Sequence, residues 1–183
     1  MDLVLVAFAG SPALGVGAVL LLGLLVGSFL NVVIPRVPIM LAREWRAQCE
    51  ELAGREPAKS EPYNLVVPRS ACPACKAPIT ALQNVPVVSW LALRGQCANC
   101  GTRISARYPL VELLTGLMSA AVAWKFGFGW PMLAALVLTW FLVALTFIDL
   151  DTQLLPDSLT LPLLWIGLLL SLWAADAGGA AVP

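Results

Sequence analysis

The chain has 183 residues, 60% hydrophobic and only 12% charged, with 11 basic and 11 acidic side chains and no histidine. A soluble domain carries about 25% charged residues, and a nucleic-acid binder carries a basic surplus, so neither description fits. The missing histidine removes Ser-His-Asp and Cys-His nucleophiles, His-ligated zinc proteases and any histidine general base. Carboxylates, lysines, cysteines and tyrosines remain for acid–base chemistry.

No charge falls between Asp2 and Arg36. About 20 apolar residues in a helix span the hydrocarbon layer, which places a first membrane helix near residues 14–34. A secretory signal peptide would need a basic start and a shorter apolar run. Further apolar runs follow at 110–124 (interrupted by Glu112), 131–148 and 158–175, the middle one bounded by the turn-like Gly127-Phe128-Gly129-Trp130-Pro131. The fold class expected is an α-helical polytopic membrane protein of about four spans. A small cytoplasmic domain is inserted after the first helix. Its divisions are 1–35 for the first span, 36–107 for the inserted domain and 108–183 for the remaining membrane part.

Ten of the eleven basic residues lie between Arg36 and Arg107, and the other is Lys125. By the positive-inside rule that segment is cytoplasmic. The N-terminus and the 127–131 turn then face outward, and the 149–157 turn faces inward.

Inside the basic segment stand Cys72-Pro73-Ala74-Cys75 and, 21 residues later, Cys97-Ala98-Asn99-Cys100. Two Cys-x-x-Cys pairs at this separation have the spacing of a four-thiolate zinc ribbon. Soft thiolates without histidine select zinc ahead of iron. A disulfide reading conflicts with a reducing cytoplasm, and a redox motif needs only one pair. Such a site, Cys72, Cys75, Cys97 and Cys100, is closed and structural. Cys49 is left over as a free thiol.

Three acids cluster in Asp149-Leu150-Asp151-Thr152-Gln153-Leu154-Leu155-Pro156-Asp157. Asp149 directly follows 18 uncharged residues, so it sits at or just inside the membrane interface, where an ionisable group is a functional candidate. Two readings stay open for it: a carboxyl that shares a proton with a second carboxyl in activating water, or an acid marking where the helix leaves lipid. Asp157 reads as a helix cap, Asp151 as solvated, and Glu112 as an interfacial acid near Arg107.

The order of these features resembles the type IV prepilin peptidases, the bifunctional leader peptidases and N-methyltransferases of pilus and type II secretion systems. The resemblance rests on Gly27-Ser28-Phe29-Leu30-Asn31-Val32-Val33-Ile34-Pro35-Arg36, the paired Cys-x-x-Cys motifs, Ser105-Ala106-Arg107-Tyr108-Pro109-Leu110-Val111-Glu112, and Phe147-Ile148-Asp149-Leu150-Asp151 leading to Pro156-Asp157. It covers nearly the whole chain in the right order.

The resemblance implies an aspartic peptidase of the bacterial cytoplasmic (inner) membrane, with its substrates type IV prepilins and type II secretion pseudopilins. It cuts after a short basic leader ending in glycine, then methylates the new N-terminus with S-adenosylmethionine. Cys72, Cys75, Cys97 and Cys100 match its zinc ligands, and Asp149 matches the first of its two catalytic aspartates. Gly95, in Leu93-Arg94-Gly95-Gln96, points to the methyl-transfer region. No glycine-rich nucleotide fingerprint supports that cofactor independently. The family's second aspartate lies in a Gly-x-Gly-Asp motif, which these residues lack. The expectation is therefore the N-terminal part of a longer enzyme, without proteolytic activity alone. The competing readings are a non-catalytic membrane scaffold that docks partners through its zinc ribbon, and a thiol-redox membrane protein.

Overall fold

The computed structural model describes residues 11–56, 61–80 and 82–176, with side chains through 172 in the last helix. Among the described residues five α-helices carry the fold: α1 (Pro12–Leu52), α2 (Val88–Ala92), α3 (Arg107–Phe126), α4 (Trp130–Thr152) and α5 (Asp157–Asp176). A short 3₁₀ turn spans Leu82–Asn84. Helices α1, α3 and α4 are long and apolar enough to cross a membrane. Helix α5 is apolar as well, over the shorter described stretch Asp157–Leu172.

Helix α1 departs most from the reading of its sequence. The apolar run ends at Ile34, yet the helix continues to Leu52, 41 residues in all, or about 61 Å at 1.5 Å per residue. Pro35 and Pro38 lie within it, each lacking an amide donor. Packing holds the helix across them: Leu30, Val33, Ile34 and Val37 share one buried cluster with Val111 of α3 and Val143, Ala144 and Ile148 of α4. Arg36, itself buried, adds two bonds to the following loop, from Nη1 to the Asn64 carbonyl (2.8 Å) and from Nη2 to the Pro68 carbonyl (2.7 Å).

The α1–α3 crossing relies on small residues, because lipid supplies no hydrophobic drive between helices and close backbone approach must replace it. Gly23 and Gly27, four apart on α1, face Ser119, Gly116, Thr115 and Glu112 of α3. A Cβ on Gly27 would stand 2.7 Å from the Glu112 Cα, a backbone atom that can move only with its helix. Gly27→Ala is expected to lower the stability of the protein in detergent by about 1–3 kcal/mol, read as a fall in Tm. Gly17→Ala, whose Cβ meets nothing within 4 Å, should leave Tm unchanged or slightly raised. Farther along, Ser119 Oγ accepts the Trp140 indole N–H at 2.9 Å, tying α3 to α4.

The helix ends sort into two sets. Gly15, near the start of α1, meets the Phe128 ring of the α3–α4 turn. At the other end lie the start of α3, the end of α4, the start of α5 and the described residues between 61 and 106 that bond or pack against them. Asp157 occupies the first turn of α5 rather than the cap position; the Pro156 carbonyl accepts from the Leu159 and Thr160 amides. The correction is small, since an acid in the first turn still complements the helix dipole.

Candidate metal centre and membrane-interface carboxylates

Each Cys-x-x-Cys pair forms a miniature hairpin. Cys72 N–H donates to the Ala77 carbonyl and Lys76 N–H to Cys72; in parallel, Cys97 N–H donates to Thr102 and Gly101 N–H to Cys97. One antiparallel bridge flanks each knuckle, Ala71 with Pro78 and Gln96 with Arg103. The two halves are thus copies of one design, brought face to face.

Their four sulfurs lie within 4.8 Å of one another, with Cys72 to Cys100 at 3.8 Å and Cys75 to Cys97 at 4.0 Å. A tetrahedron with metal–sulfur bonds near 2.3 Å has edges of about 3.8 Å. These separations are well beyond the S–S bond of a disulfide, and the four sulfurs are close enough together to hold one metal ion.

The surroundings favour thiolates. The Asn99 side-chain amide and the Ala77 amide lower the Cys75 pKa, and the Cys100 and Asn99 amides lower that of Cys97. The Thr102 hydroxyl and amide do the same for Cys100. Cys72 receives the Cys75 and Ala74 amides, but burial and the neighbouring Cys97 and Cys75 sulfurs outweigh them and its thiol is raised. A thiol that ionises last among thiolates is the one a cation would have to recruit.

The residue after each second cysteine takes a left-handed conformation, Lys76 at φ 58° and Gly101 at φ 70°. Only glycine does so without a Cβ penalty, about 1–2 kcal/mol. Lys76→Gly is therefore expected to strengthen the module by up to about 1 kcal/mol. Gly101→Ala, with no contact within 4 Å to change, should weaken it by a similar amount. Resistance of bound metal to a chelator reads both. An unchanged Lys76→Gly variant would contradict the conformational argument.

Gly95 is buried, at φ +67°, and a Cβ there would lie 2.8 Å from the Trp90 ring. Its carbonyl accepts the Ile104 amide (2.8 Å) and its amide donates to the Trp90 carbonyl (2.8 Å). The Trp90 indole in turn donates to the Ile104 carbonyl. Gly95 therefore anchors α2 to the second knuckle.

At the membrane boundary Arg107 and Glu112 find different partners. Arg107 does not serve Glu112. It grips Asp151 bidentately at 2.7 and 2.6 Å and stacks over the Phe147 ring. Asp151 is accordingly an ion-pair partner rather than a merely solvated acid.

Glu112 is 8% exposed. It accepts the Val87 amide at 2.7 Å and lies beside the Ser28 and Asn31 side chains of α1, the latter donating to the Tyr108 carbonyl (3.0 Å). Val87, at φ 59° and ψ −48°, centres a strained γ-turn closed by the Val88 amide and Pro86 carbonyl. Glu112 thus joins both helices to the entrance of α2, and no local pattern in the sequence marks that role.

Asp149 lies half-buried one turn before the end of α4, where Gln153 closes the helix in the left-handed region by bonding the Asp149 carbonyl. Among the described residues no group donates to its carboxylate. Its neighbour Ile148 is fully buried against α1 and α3, so the side chain sits at the rim of the core, on the same end as the four thiols. Cys49 is an exposed free thiol on the extension of α1.

Residues 21–126 match the bacterial Peptidase A24 N-terminal domain, and residues 136–182 match the type IV leader peptidase family. The chain belongs to this peptidase family. Among its relatives, the prepilin leader peptidase/N-methyltransferase of Aeromonas hydrophila is 60% identical over 174 residues, 94% of this chain and 60% of the relative. That of Neisseria gonorrhoeae is 56% identical over 153 residues (82% and 54%), and that of Pseudomonas aeruginosa 55% over 162 residues (88% and 56%). The chain thus spans about 60% of the length of the curated relatives it matches. No solved structure matches it.

Proposed function

We propose that this chain is part of an enzyme that removes the basic leader from type IV prepilins and type II secretion pseudopilins and then N-methylates the exposed N-terminus. The observation that carries the reading is the placement of Asp149. A half-buried carboxylate with no donor among the described residues lies one turn before the end of a membrane helix, on the same side as the four-thiol module. A prepilin has a basic leader that stays in water and an apolar segment that enters lipid. Its scissile bond therefore lies at the membrane surface, at the depth of Asp149.

In this reading Asp149 takes a proton from water as the water attacks the scissile carbonyl. A second carboxyl, the family's Gly-x-Gly-Asp residue, supplies the complementary acid. Arg107 and Asp151 hold the last turn of α4 so that Asp149 keeps its place at the rim.

The metal in the four-thiol site is zinc, the usual choice of a closed tetrahedral thiolate set. Cys72, Cys75, Cys97 and Cys100 hold it, and its role is to fold the module. S-adenosylmethionine supplies the methyl group. Gly95 belongs to the methyl-transfer region, where its buried, left-handed turn sets the position of α2.

The protein sits in the bacterial inner membrane, with the zinc module cytoplasmic and the N-terminus periplasmic. Its divisions are a first span (1–35), the zinc module (36–107) and the start of the peptidase core (108–183). The test is the intact enzyme mixed with a purified prepilin and S-adenosylmethionine, with leader loss and methyl addition read by mass spectrometry. Failure of the wild-type enzyme to do either would overturn the proposal.

A further inference from the structure

Outside the membrane helices, exposed large apolar side chains are unevenly distributed. Among the described residues between 53 and 106 they are Val66, Val67, Leu82, Val85, Val88 and Leu91, together with Ile79. Apart from Ile79, none belongs to a metal knuckle. The first six occupy two loops, and the structure ties each loop to the membrane helices.

The first tie is at residues 64–68. Arg36 of α1 bonds the Asn64 and Pro68 carbonyls at the two ends of the loop. Leu65 packs against the buried cluster of α1, α3 and α4. Val66, at 77% exposed, and Val67 lie next to that inserted leucine.

The second tie is at residues 82–92. The Val87 amide is held by Glu112, five residues into α3. That is about 7.5 Å along the helix from Arg107 at 1.5 Å per residue. Arg107 and Asp151 form an ion pair that the rest of the protein leaves partly uncovered, and two charged groups so placed belong on the aqueous side of the boundary. The headgroup layer is about 5–7 Å deep per leaflet, so Val87 lies near the hydrocarbon boundary. Leu82 (84% exposed), Val88 and Leu91 (62% each) flank it in the chain. Val88 and Leu91, three apart on α2, share a face. Arg69 and Arg94, both exposed beside these loops, stand where lipid phosphates would meet them.

We propose that residues 64–68 and 82–92 form an interfacial collar, embedded in the headgroup region of the leaflet on the metal-module side, with membrane lipid as its partner. The Val87 tether sets the depth of residues 82–92, while Leu65, packed on the α1, α3 and α4 cluster, holds residues 64–68 against the same boundary from the water side; apolar side chains held there cannot retreat into water. The collar fixes the height of the four-thiol module above the bilayer, because α2 leads directly through Gly95 into the second knuckle. The inference does not depend on which reaction the enzyme performs.

The test places an encoded environment-sensitive fluorescent amino acid at Val88, Leu91 or Val66 of the intact enzyme, with Ala98 on a knuckle as the control. Each variant is reconstituted in nanodiscs of phosphatidylethanolamine and phosphatidylglycerol, with or without lipids brominated near the top of the acyl chains. Unchanged metal content checks that each variant is folded. The expected result is blue-shifted emission at positions 66, 88 and 91, quenched by brominated lipid several-fold more than at 98. Red-shifted, unquenched emission at 88 and 91 would show that they face water and overturn the collar. Blue-shifted but unquenched emission would show that protein covers them, whether another segment of the enzyme or the apolar part of a substrate, and would overturn it equally.

Discussion

Asp149→Asn in the intact enzyme is expected to abolish prepilin cleavage while leaving the metal in place. The substitution keeps the size of the side chain and removes its capacity to carry a proton. Loss of a general acid–base group lowers rate by about 10²–10⁴-fold, and a carboxylate pair stripped of one member falls at the upper end of that range. Structure should survive. The backbone carbonyl of Asp149, which accepts from Gln153, is unchanged, and the four thiols lie on other elements. Asp151→Asn is the informative control. It breaks the bidentate pair with Arg107, whose side chains are 41% and 36% exposed, so the effect on stability is at most about 1 kcal/mol and cleavage should persist at reduced rate. Leader removal, followed by gel shift and mass spectrometry on both variants beside wild type, separates the cases. Cleavage at wild-type rate by Asp149→Asn would remove that residue from the chemistry. Equal loss in both variants would mean that the whole end of α4 matters, rather than one carboxylate.

The parts of this architecture legible in the sequence are those fixed by short-range rules. Two Cys-x-x-Cys pairs announce a four-ligand site because each knuckle is a local turn with its own hydrogen bonds. The apolar runs announce helices because hydrocarbon demands internally bonded backbone, and α3 and α4 begin and end close to where those runs do. The less legible parts depend on how elements rotate against one another. Whether Arg107 pairs with Glu112, five residues away, or with Asp151, 44 residues away, is decided by the faces that α3 and α4 turn to each other. Glu112 looks like an interfacial acid until the Val87 amide is seen to reach it. The length of α1 was hidden for a different reason. Arg36, Pro35 and Pro38 are the signals that normally close a helix, and here tertiary packing and the buried guanidinium override them. Gly95 stood out in sequence only through resemblance. Its need for a left-handed turn against Trp90 emerges once both sides of the knuckle are assembled.

Cys75→Ser is expected to empty the metal site and unfold the module it organises, while the membrane helices remain folded. Among the described residues between 53 and 106, Cys72 is the one buried hydrophobic side chain apart from Pro86. The segment therefore has almost no apolar core to hold its hairpins together. Metal binding must supply what burial does not, and structural four-ligand zinc sites contribute apparent energies of about 10–16 kcal/mol at neutral pH. The membrane helices draw on two separate clusters, one around Leu30, Val111 and Ile148 and one around Val19, Ala123 and Leu136. Neither contains a knuckle residue. Elemental analysis of the purified protein should fall from about one zinc per chain to none. Limited proteolysis should open new sites between residues 69 and 104, and far-UV circular dichroism should keep most of its helical signal. Prolonged chelation of the wild type should reproduce all three changes, and restored zinc should reverse them. A wild-type protein with four freely titrating thiols at these positions, no metal and the same protease resistance would refute the metal centre. A coloured protein carrying iron in its place would keep the four-thiolate site and overturn only the choice of zinc.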